Sequence, residues 1–312
     1  MPQSKEAREA FSNKLLAQIR QALEGILSPN KYLVVTVGSV GRKEASGWSD
    51  LDYFVVCNSK KEIVDAEKDV PKIEDAIYKI VYKEHAQDGA FGKVSCIEDM
   101  ISNIGGQDDL NSKITLRILY LLEGDWLFDE NRFHQYRDLI LAKYIQETIS
   151  EHQFCRFLLN DLIRYYRTIC VDFEHKTIEK GKSWGDRNIK LVFSRKLLYF
   201  SGILVTAETW QQTYKVKRQI ARELLSLNPI DRLQRICGAK SNPVVEMYES
   251  YLERMADPEI RKLIDAATIV KATQSEQFRR LKNDGHHFSL MLGKLLKDTY
   301  GAEHPIHNAL IV

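Results

Sequence analysis

Two aspartates separated by one residue, Asp50 and Asp52, are the side chains in this 312-residue sequence whose type and spacing point most directly to chemistry. The second of them opens an apolar run, Tyr53 to Val56, which predicts a strand. Because strand residues two apart point to the same face, we expect both carboxylates to project side by side, with Leu51 on the opposite face. Adjacent carboxylates repel each other unless a cation lies between them, and their oxygens suit Mg²⁺ or Mn²⁺.

A glycine-rich segment precedes the two acids. Residues Tyr32 to Val37 are apolar and β-branched, as in a buried strand, and they lead directly into Gly38-Ser39-Val40-Gly41-Arg42. This segment predicts a tight turn that uses the φ freedom of glycine. Its backbone N–H groups and the Ser39 hydroxyl can hold phosphate oxygens. Paired acids, a divalent cation and a phosphate cradle are together what phosphoryl and nucleotidyl transfer require.

The string from Gly38 to Asp52 reads Gly-Ser-x-Gly-Arg-x-Glu-x-Ser-x-x-Ser-Asp-x-Asp. It resembles the signature of the DNA polymerase β-type nucleotidyltransferase superfamily, and most of all its bacterial branch that includes the PII-uridylyltransferase-like proteins. The resemblance implies that Asp50 and Asp52 hold one or two Mg²⁺ or Mn²⁺ ions. It also implies that Gly38, Ser39 and the turn amides contact the β- and γ-phosphates of an NTP such as ATP. Arg42 would steady the turn or reach a phosphate.

The family usually has a third carboxylate on a neighbouring strand, where it acts as general base on the attacking hydroxyl. Glu84 and Asp88 are the acids nearest to a predicted strand at Gly92 to Ile97. Neither lies in an alternating strand pattern, since Glu84 fits the end of a helix and Asp88 fits a Gln-Asp-Gly turn. Asp88 is the predicted third catalytic acid.

Composition is that of a globular protein, with 44% hydrophobic and 28% charged residues and a length sufficient for two cores. The net charge of +2 argues against a large nucleic-acid-binding surface and leaves room for a local basic patch. Five scattered cysteines without a CxxC pair favour reduced thiols over a zinc site. With no apolar run near the roughly 20 residues of a membrane span and no signal-peptide core, we expect a cytoplasmic protein without membrane contact.

Hydrophobic periodicity predicts an α+β fold, in which a small mixed sheet flanked by helices is followed by an all-α helical bundle. Residues 3–27 predict an amphipathic helix that packs on the sheet. Residues 115–122 are apolar around most of the helix girth, which indicates a buried helix at the join between domains, and residues 125–130 predict a loop. The predicted limits are 1–125 for the nucleotidyltransferase domain and 126–312 for the helical domain that closes the active-site cleft.

Beyond Asn131 the pattern predicts only helices. Their predicted ranges are 132–150, 153–175, 186–207, 216–226, 230–236, 244–255, 258–272 and 276–300.

The predicted helix at 186–207 has an unusual polar side. Asp186 is suited to cap its N-terminus, and Lys196 falls at the edge of its apolar face, where an unpaired charge is costly. A bound phosphate would compensate that charge, and a lysine with its tip in water would avoid the cost; the residue alone does not distinguish the two. In the resembled family, Lys, Arg and Ser of a helical domain reach the triphosphate. This implies a nucleotide-binding role for a set of four residues: Lys190, Ser194, Arg195 and Lys196.

The sequence therefore predicts a metal-dependent nucleotidyltransferase of the EC 2.7.7 type, which moves NMP from an NTP to a hydroxyl and releases pyrophosphate. The acceptor stays open among a protein, an RNA, a small molecule and a second nucleotide. The alternative is a nucleotide-binding regulatory protein without turnover, which the missing third carboxylate would explain.

Overall fold

The computed structural model describes residues 4–29, 31–81, 94–178, 183–268 and 275–311. The chain forms two compact units. We call the first the sheet unit; it comprises Lys5–Ile149 and Tyr214–Asn228. The second, the helical unit, comprises Ser150–Thr213 and Pro229–Val312, with the N-terminal residues Met1–Ser4.

The sheet unit contains a mixed sheet in which the described strands lie in the order β3-β2-β1-β4. β1 pairs antiparallel with β2 and with β4, whereas β2 and β3 run parallel. The strands are β1 Leu33–Val37, β2 Asp52–Cys57, β3 Val94–Cys96 and β4 Asp125–Phe128.

Helices cover both faces of this sheet. The sheet-unit helices are α1 Lys5–Glu24, α2 Gly38–Gly41, α3 Ile63–Glu67, α4 Val70–Val81, α5 Ile97–Ile101, α6 Asn111–Glu123 and α7 Glu130–Tyr144, joined later in the chain by Tyr214–Leu225, which is α11.

Strand alternation divides the apolar side chains between two layers of helices. Tyr53 and Val55 belong to one core with residues of α1 and α4. Phe54 points the other way and meets Tyr120 of α6, with ring centroids 6.5 Å apart. The sheet unit is therefore a three-layer arrangement with a largely buried sheet, which explains why β1 reads as a continuous apolar run.

The helical unit has a core of its own. Phe193 stacks on Tyr251 with ring centroids 4.4 Å apart and also packs against Phe288. Its described helices are α8 Arg156–Ile178, α9 Trp184–Val192, α10 Ser194–Ala207, α12 Pro229–Cys237, α13 Asn242–Ala256, α14 Pro258–Asp265, α15 Glu276–Thr299 and α16 Ile306–Ala309.

The predicted fold class, a small mixed sheet with flanking helices followed by a helical bundle, is confirmed. Within the ranges that the structure describes, no helix is both long and apolar enough to cross a membrane.

Two local predictions were wrong. Residues 125–130 were expected as a loop, but Asp125–Phe128 forms β4, because pairing with β1 satisfies the backbone of a segment too short for a visible alternation. The single helix expected at 186–207 is broken at Phe193, whose φ of −112° and ψ of −84° lie outside the helical region.

The predicted domain limits, 1–125 and 126–312, stay a prediction; the compact units divide at Ile149 and Ser150, with Tyr214–Asn228 in the sheet unit. β4 belongs to the sheet, and α7 packs on β1 and β4, so both stay with the sheet unit up to Ile149. α11 then returns to pack against α7. Contacts between segments distant in sequence decide these limits, and composition alone does not show them.

A buried ion pair anchors the loop between α5 and α6. The guanidinium of Arg117 donates to both carboxylate oxygens of Asp109 at 3.1 Å, and both side chains are 0% exposed. Arg117 also donates to the Met100 carbonyl and to the Tyr144 hydroxyl, while Asp109 accepts from the Gly105 N–H at 2.9 Å. Each buried charge is thus compensated by an opposite charge and by further hydrogen bonds, as burial of ions requires.

We predict that Asp109→Ala lowers the free energy of unfolding by about 3–5 kcal/mol, because it leaves the Arg117 cation buried without its anion. The matched control is Asp75→Ala, which removes an exposed pair with Lys79 and should change stability by less than about 0.5 kcal/mol. Urea unfolding measures both. Equal losses in the two variants would contradict the structural role given to Arg117 and Asp109.

Candidate active site

The site begins where β1 ends. Instead of the predicted tight turn, Gly38–Gly41 forms one helical turn, α2, closed by a 3.0 Å hydrogen bond from the Arg42 N–H to the Gly38 carbonyl. Gly38 has φ +72°, in the left-handed region that disfavours residues with a Cβ. The glycine therefore allows the chain to turn from an extended strand into α2 without a linker.

The two acids lie at the start of β2, next to this turn. Antiparallel pairing sets Val37, the last residue of β1, opposite Asp52, the first residue of β2. Asp52 is partly buried and Asp50 is exposed, whereas Leu51 between them is buried in the core under α1 and α4. Within β2, alternation with Tyr53 leaves Asp52 on the side away from that core, and Asp50 precedes the strand.

Gly38 provides space beside Asp52. A Cβ on Gly38 would lie 3.1 Å from Asp52 Oδ2, so any other residue would crowd this oxygen. The oxygen donors and this space fit a hard divalent ion such as Mg²⁺ or Mn²⁺. In the described part of the chain no three His, Cys, Asp or Glu side chains cluster as a metal site. Proteins commonly hold Mg²⁺ through one or two carboxylates together with phosphate oxygens and water.

Glu123, the last residue of α6, reaches the same turn. Its Oε1 accepts from the Gly38 N–H at 3.0 Å, and its Oε2 accepts from Arg42 Nη1 at 2.5 Å. Arg42 Nε in turn donates to Glu44 Oε2 at 2.7 Å. The Gly38 N–H and the Arg42 guanidinium are therefore engaged by carboxylates within the protein.

Asp125, the first residue of β4, holds the residue that follows Arg42. Its carboxylate accepts from Lys43 Nζ through one oxygen and from Arg20 Nη2, at 3.0 Å, through the other. Lys43 has φ +63°, an uncommon left-handed conformation for a residue with a long side chain. The Arg20 guanidinium also lies 3.6 Å from the centre of the Trp126 ring, a cation–π contact that orients it.

The predicted residues of the helical unit have partners there. Lys190 pairs with Asp186 at 2.8 Å, and the Ser194 hydroxyl is buried against the Tyr251 hydroxyl at 2.9 Å. Arg195 is partly exposed. The N-cap of α9 is Ser183, which accepts from the Asp186 N–H, so the expected cap at Asp186 was wrong. The helix begins at Trp184, two residues before the predicted start, so Ser183 occupies the capping position.

Lys196 lies close to a second lysine that sequence reasoning missed. Lys196 Nζ donates to Ser289 Oγ at 2.6 Å, and Lys282 Nζ donates to Asn188 Oδ1. Burial lowers the pKa of Lys196; burial and the nearby charge of Lys196 lower the pKa of Lys282. Among the described residues, neither ammonium has a carboxylate partner. Both lysines donate to neutral oxygens, and removal from water without an opposite charge disfavours their protonated forms.

Both sequence candidates for the third carboxylate, Glu84 and Asp88, lie outside the described residues. β3 begins at Val94, which pairs with Val55 of β2. The assignment of Asp88 as a catalytic acid therefore stays a prediction.

Comparison with known proteins agrees with this geometry. Residues 16–94 match the family model described as nucleotidyltransferase domain. The match covers about a quarter of the chain, from α1 to the start of β3, and includes Gly38, Asp50 and Asp52. It supports the predicted superfamily; the PII-uridylyltransferase-like branch stays a prediction. A search of curated proteins found no match.

Glu123 and Asp125 are the site residues that sequence reasoning missed. They lie beyond the matched range and more than 80 residues from their partners in the turn along the chain. The available signal was the position of Glu123 at the end of a helix that is apolar around most of its girth. A charge there requires a partner, but the sequence does not say that the partner is Arg42.

We predict that Gly41→Ala destabilises the sheet unit by roughly 2 kcal/mol or more, since its Cβ would lie 2.2 Å from the Glu123 carbonyl oxygen and a backbone would have to move. Gly47→Ala is the matched control, because nothing lies within 4 Å of its Cβ. The control should stay within about 0.5 kcal/mol of the unsubstituted protein in urea unfolding. A Gly41→Ala variant as stable as the control would contradict the close approach of α2 to the end of α6.

Proposed function

We propose that this protein is a metal-dependent nucleotidyltransferase that transfers NMP from an NTP to a hydroxyl acceptor and releases pyrophosphate. The observation that carries this proposal is the position of Asp52 at the start of β2, directly beside Gly38 of the Gly-Ser turn. The nucleotidyltransferase domain match over residues 16–94 supports NMP transfer in general. The hydroxyl chemistry, the metal and the acceptor belong to the proposal.

The proposed reaction is a displacement at the α-phosphate. The acceptor oxygen forms a bond to the α-phosphorus, the bond from that phosphorus to the bridging oxygen of the β-phosphate breaks, and pyrophosphate leaves. A base accepts the proton of the acceptor hydroxyl; Asp88 is the predicted candidate. When bound, Mg²⁺ or Mn²⁺ would supply charge neutralisation worth several kcal/mol at the phosphates.

The residues of the sheet unit have distinct proposed roles. Asp50 and Asp52 would hold the divalent ion. Gly38 contributes space beside Asp52, while its N–H is engaged by Glu123. The Ser39 hydroxyl and the amides that follow it are therefore the proposed contacts to the β- and γ-phosphates, with Arg42 supporting the turn.

In the helical unit we propose that Lys196 and Lys282 contact phosphate oxygens of the nucleotide. Both ammonium groups donate to neutral oxygens, and burial lowers the pKa of each lysine; a bound phosphate would supply the opposite charge that favours their protonated forms. Lys190 and Ser194 are weaker proposals, because Asp186 and Tyr251 already engage them. Arg195 keeps its proposed nucleotide-binding role, supported by its partial exposure next to Lys196.

The acceptor is proposed only as a class, a hydroxyl on a protein, an RNA, a small molecule or a nucleotide. The near-neutral net charge of +2 makes an extended RNA surface the least favoured of these. The proposed cellular location is the cytoplasm.

We predict that Asp52→Asn lowers the rate of pyrophosphate release at least about 100-fold, because a ligand to the divalent ion is lost while the fold is retained. The assay incubates the protein with each labelled NTP, Mg²⁺ or Mn²⁺, and cell extract. Asp65→Asn, an exposed acid of α3, is the matched control and should keep full activity.

Two other outcomes would decide against this proposal. Tight NTP binding by the unsubstituted protein without pyrophosphate release would favour a regulatory nucleotide-binding protein. A large loss of thermal stability in Asp52→Asn would indicate a structural role for this acid instead of a metal-binding one.

For the helical unit we predict that Lys196→Met and Lys282→Met each weaken NTP affinity by about tenfold, since each removes one charge-assisted phosphate contact and keeps the aliphatic stem. Arg280→Met is the control. Arg280 lies on α15, the helix that also carries Lys282, and its exposed side chain pairs with Glu276. Isothermal titration with a non-hydrolysable NTP measures all three. Unchanged affinity in both lysine variants would indicate that these lysines have a structural role only.

A further inference from the structure

We propose that residues Glu123, Gly124 and Asp125 act as a clamp that positions the Gly-Ser turn from outside the family-matched range. We call this segment the 123–125 clamp. It deepens the proposed function, and its kinetic test rests on that function, but its structural test does not. The two acids would be positioning residues, which act through the turn and touch neither nucleotide nor acceptor.

The first half of the clamp is Glu123. Its side chain is 5% exposed and receives two hydrogen bonds, from the Gly38 N–H at 3.0 Å and from Arg42 Nη1 at 2.5 Å. These donors come from the first residue of α2 and from the residue just after it. One carboxylate therefore joins the beginning of the turn to its end, with charge-assisted bonds that are stronger than neutral ones.

The backbone around Gly124 makes this approach possible. A Cβ on Gly41 would lie 2.2 Å from the Glu123 carbonyl oxygen, so α2 and the end of α6 meet backbone to backbone. A Cβ on Gly124 would lie 2.5 Å from the Tyr120 carbonyl oxygen, so only glycine fits where α6 passes into β4. Arg137 Nη2 donates to the Gly124 carbonyl at 3.3 Å and supports the junction.

The second half of the clamp is Asp125. Its carboxylate accepts from Lys43 and from Arg20, and pairing of β4 with β1 fixes its place opposite Thr36. Lys43 has φ +63°, an uncommon conformation for a residue with a side chain, and its N–H donates to the Val40 carbonyl at 3.1 Å. The clamp thus reaches one residue past Arg42 and restrains the chain that leads towards Asp50.

Together the two acids restrain both ends of the segment Gly38–Lys43. Each carboxylate is partly or fully removed from water and has at least one cationic partner, which meets the requirement for burying charge. If the ion pairs only stabilised the fold, removal of either acid would weaken the whole sheet unit to a similar extent. A positioning role requires that loss of either acid loosen the turn specifically.

The structural test is amide hydrogen exchange of the turn. In Glu123→Gln, exchange of the Gly38 amide should rise at least about fivefold, because a charge-assisted acceptor becomes a neutral one. Asp125→Asn should raise exchange at Lys43 in the same way. Glu130→Gln, an exposed acid of α7, is the control and should leave both amides unchanged. Amides in β1 and α1 should keep their protection in every variant.

The kinetic test separates positioning from stability. Glu123→Gln and Asp125→Asn should raise the KM for NTP about tenfold and change kcat less than threefold, because a loosened turn weakens phosphate contacts without altering the acids at Asp50 and Asp52. Glu130→Gln should match the unsubstituted protein in both constants.

Specific results would overturn the clamp. One is unchanged Gly38 exchange in Glu123→Gln; another is a rise spread equally over the whole sheet unit, which would indicate global destabilisation. If the unsubstituted protein releases no pyrophosphate with any NTP, the proposed function fails, and the exchange experiment still decides the clamp. If both substituted proteins fail to fold, Lys43→Met provides the test, because it removes the contact with Asp125 from the side of the turn. Unchanged exchange of the Lys43-position amide in that variant would show that the clamp is wrong.

Discussion

The antiparallel pairing of β1 with β2 is the interaction on which the rest of this structure depends. It sets Val37 opposite Asp52, so that the Gly-Ser turn at the end of one strand and the acids at the start of the other lie together. The eight residues that separate Gly41 from Asp50 leave the site through a loop and return to it. The core beneath, from Tyr53 and Val55 to helices α1 and α4, fixes the register, because a slip of one residue would bury Asp52 and expose Tyr53.

Both units contain ion pairs that compensate charges removed from water, including Asp161 with Arg164 in the helical unit. In the sheet unit, three acids have cationic partners: Glu123 with Arg42, Asp125 with Lys43, and Asp109 with Arg117. In the helical unit, Lys196 and Lys282 contact only neutral oxygens among the described residues, and burial lowers the pKa of both. A cation held away from water without an opposite charge is costly in its protonated form, and the lowered pKa values of these two lysines reflect that cost.

Much of the fold and half of the candidate site could be predicted from local patterns. β1, β2 and most of the helices follow from apolar periodicity, and Gly38 and Asp52 follow from residue type and spacing. β4 could not be predicted, because four residues carry too little alternation and only pairing with β1 makes them a strand. The break at Phe193 was equally invisible: the apolar stripe continues across it, and stacking of Phe193 on Tyr251 in the core accompanies the kink.

By itself, the sequence determined that strands precede a helical bundle, and it supplied the predictions of which residues bind a divalent ion and which turn approaches a phosphate. These properties depend on side-chain type and on spacings of a few residues, and such short-range constraints are legible along the chain. Only the tertiary structure decided what holds that chemistry in place. Glu123 and Asp125 meet Gly38, Arg42 and Lys43 across more than 80 residues of chain, because α6 and β4 pack beside β1. No local pattern records which distant cation will face a buried acid, since that depends on how layers of helix and sheet stack.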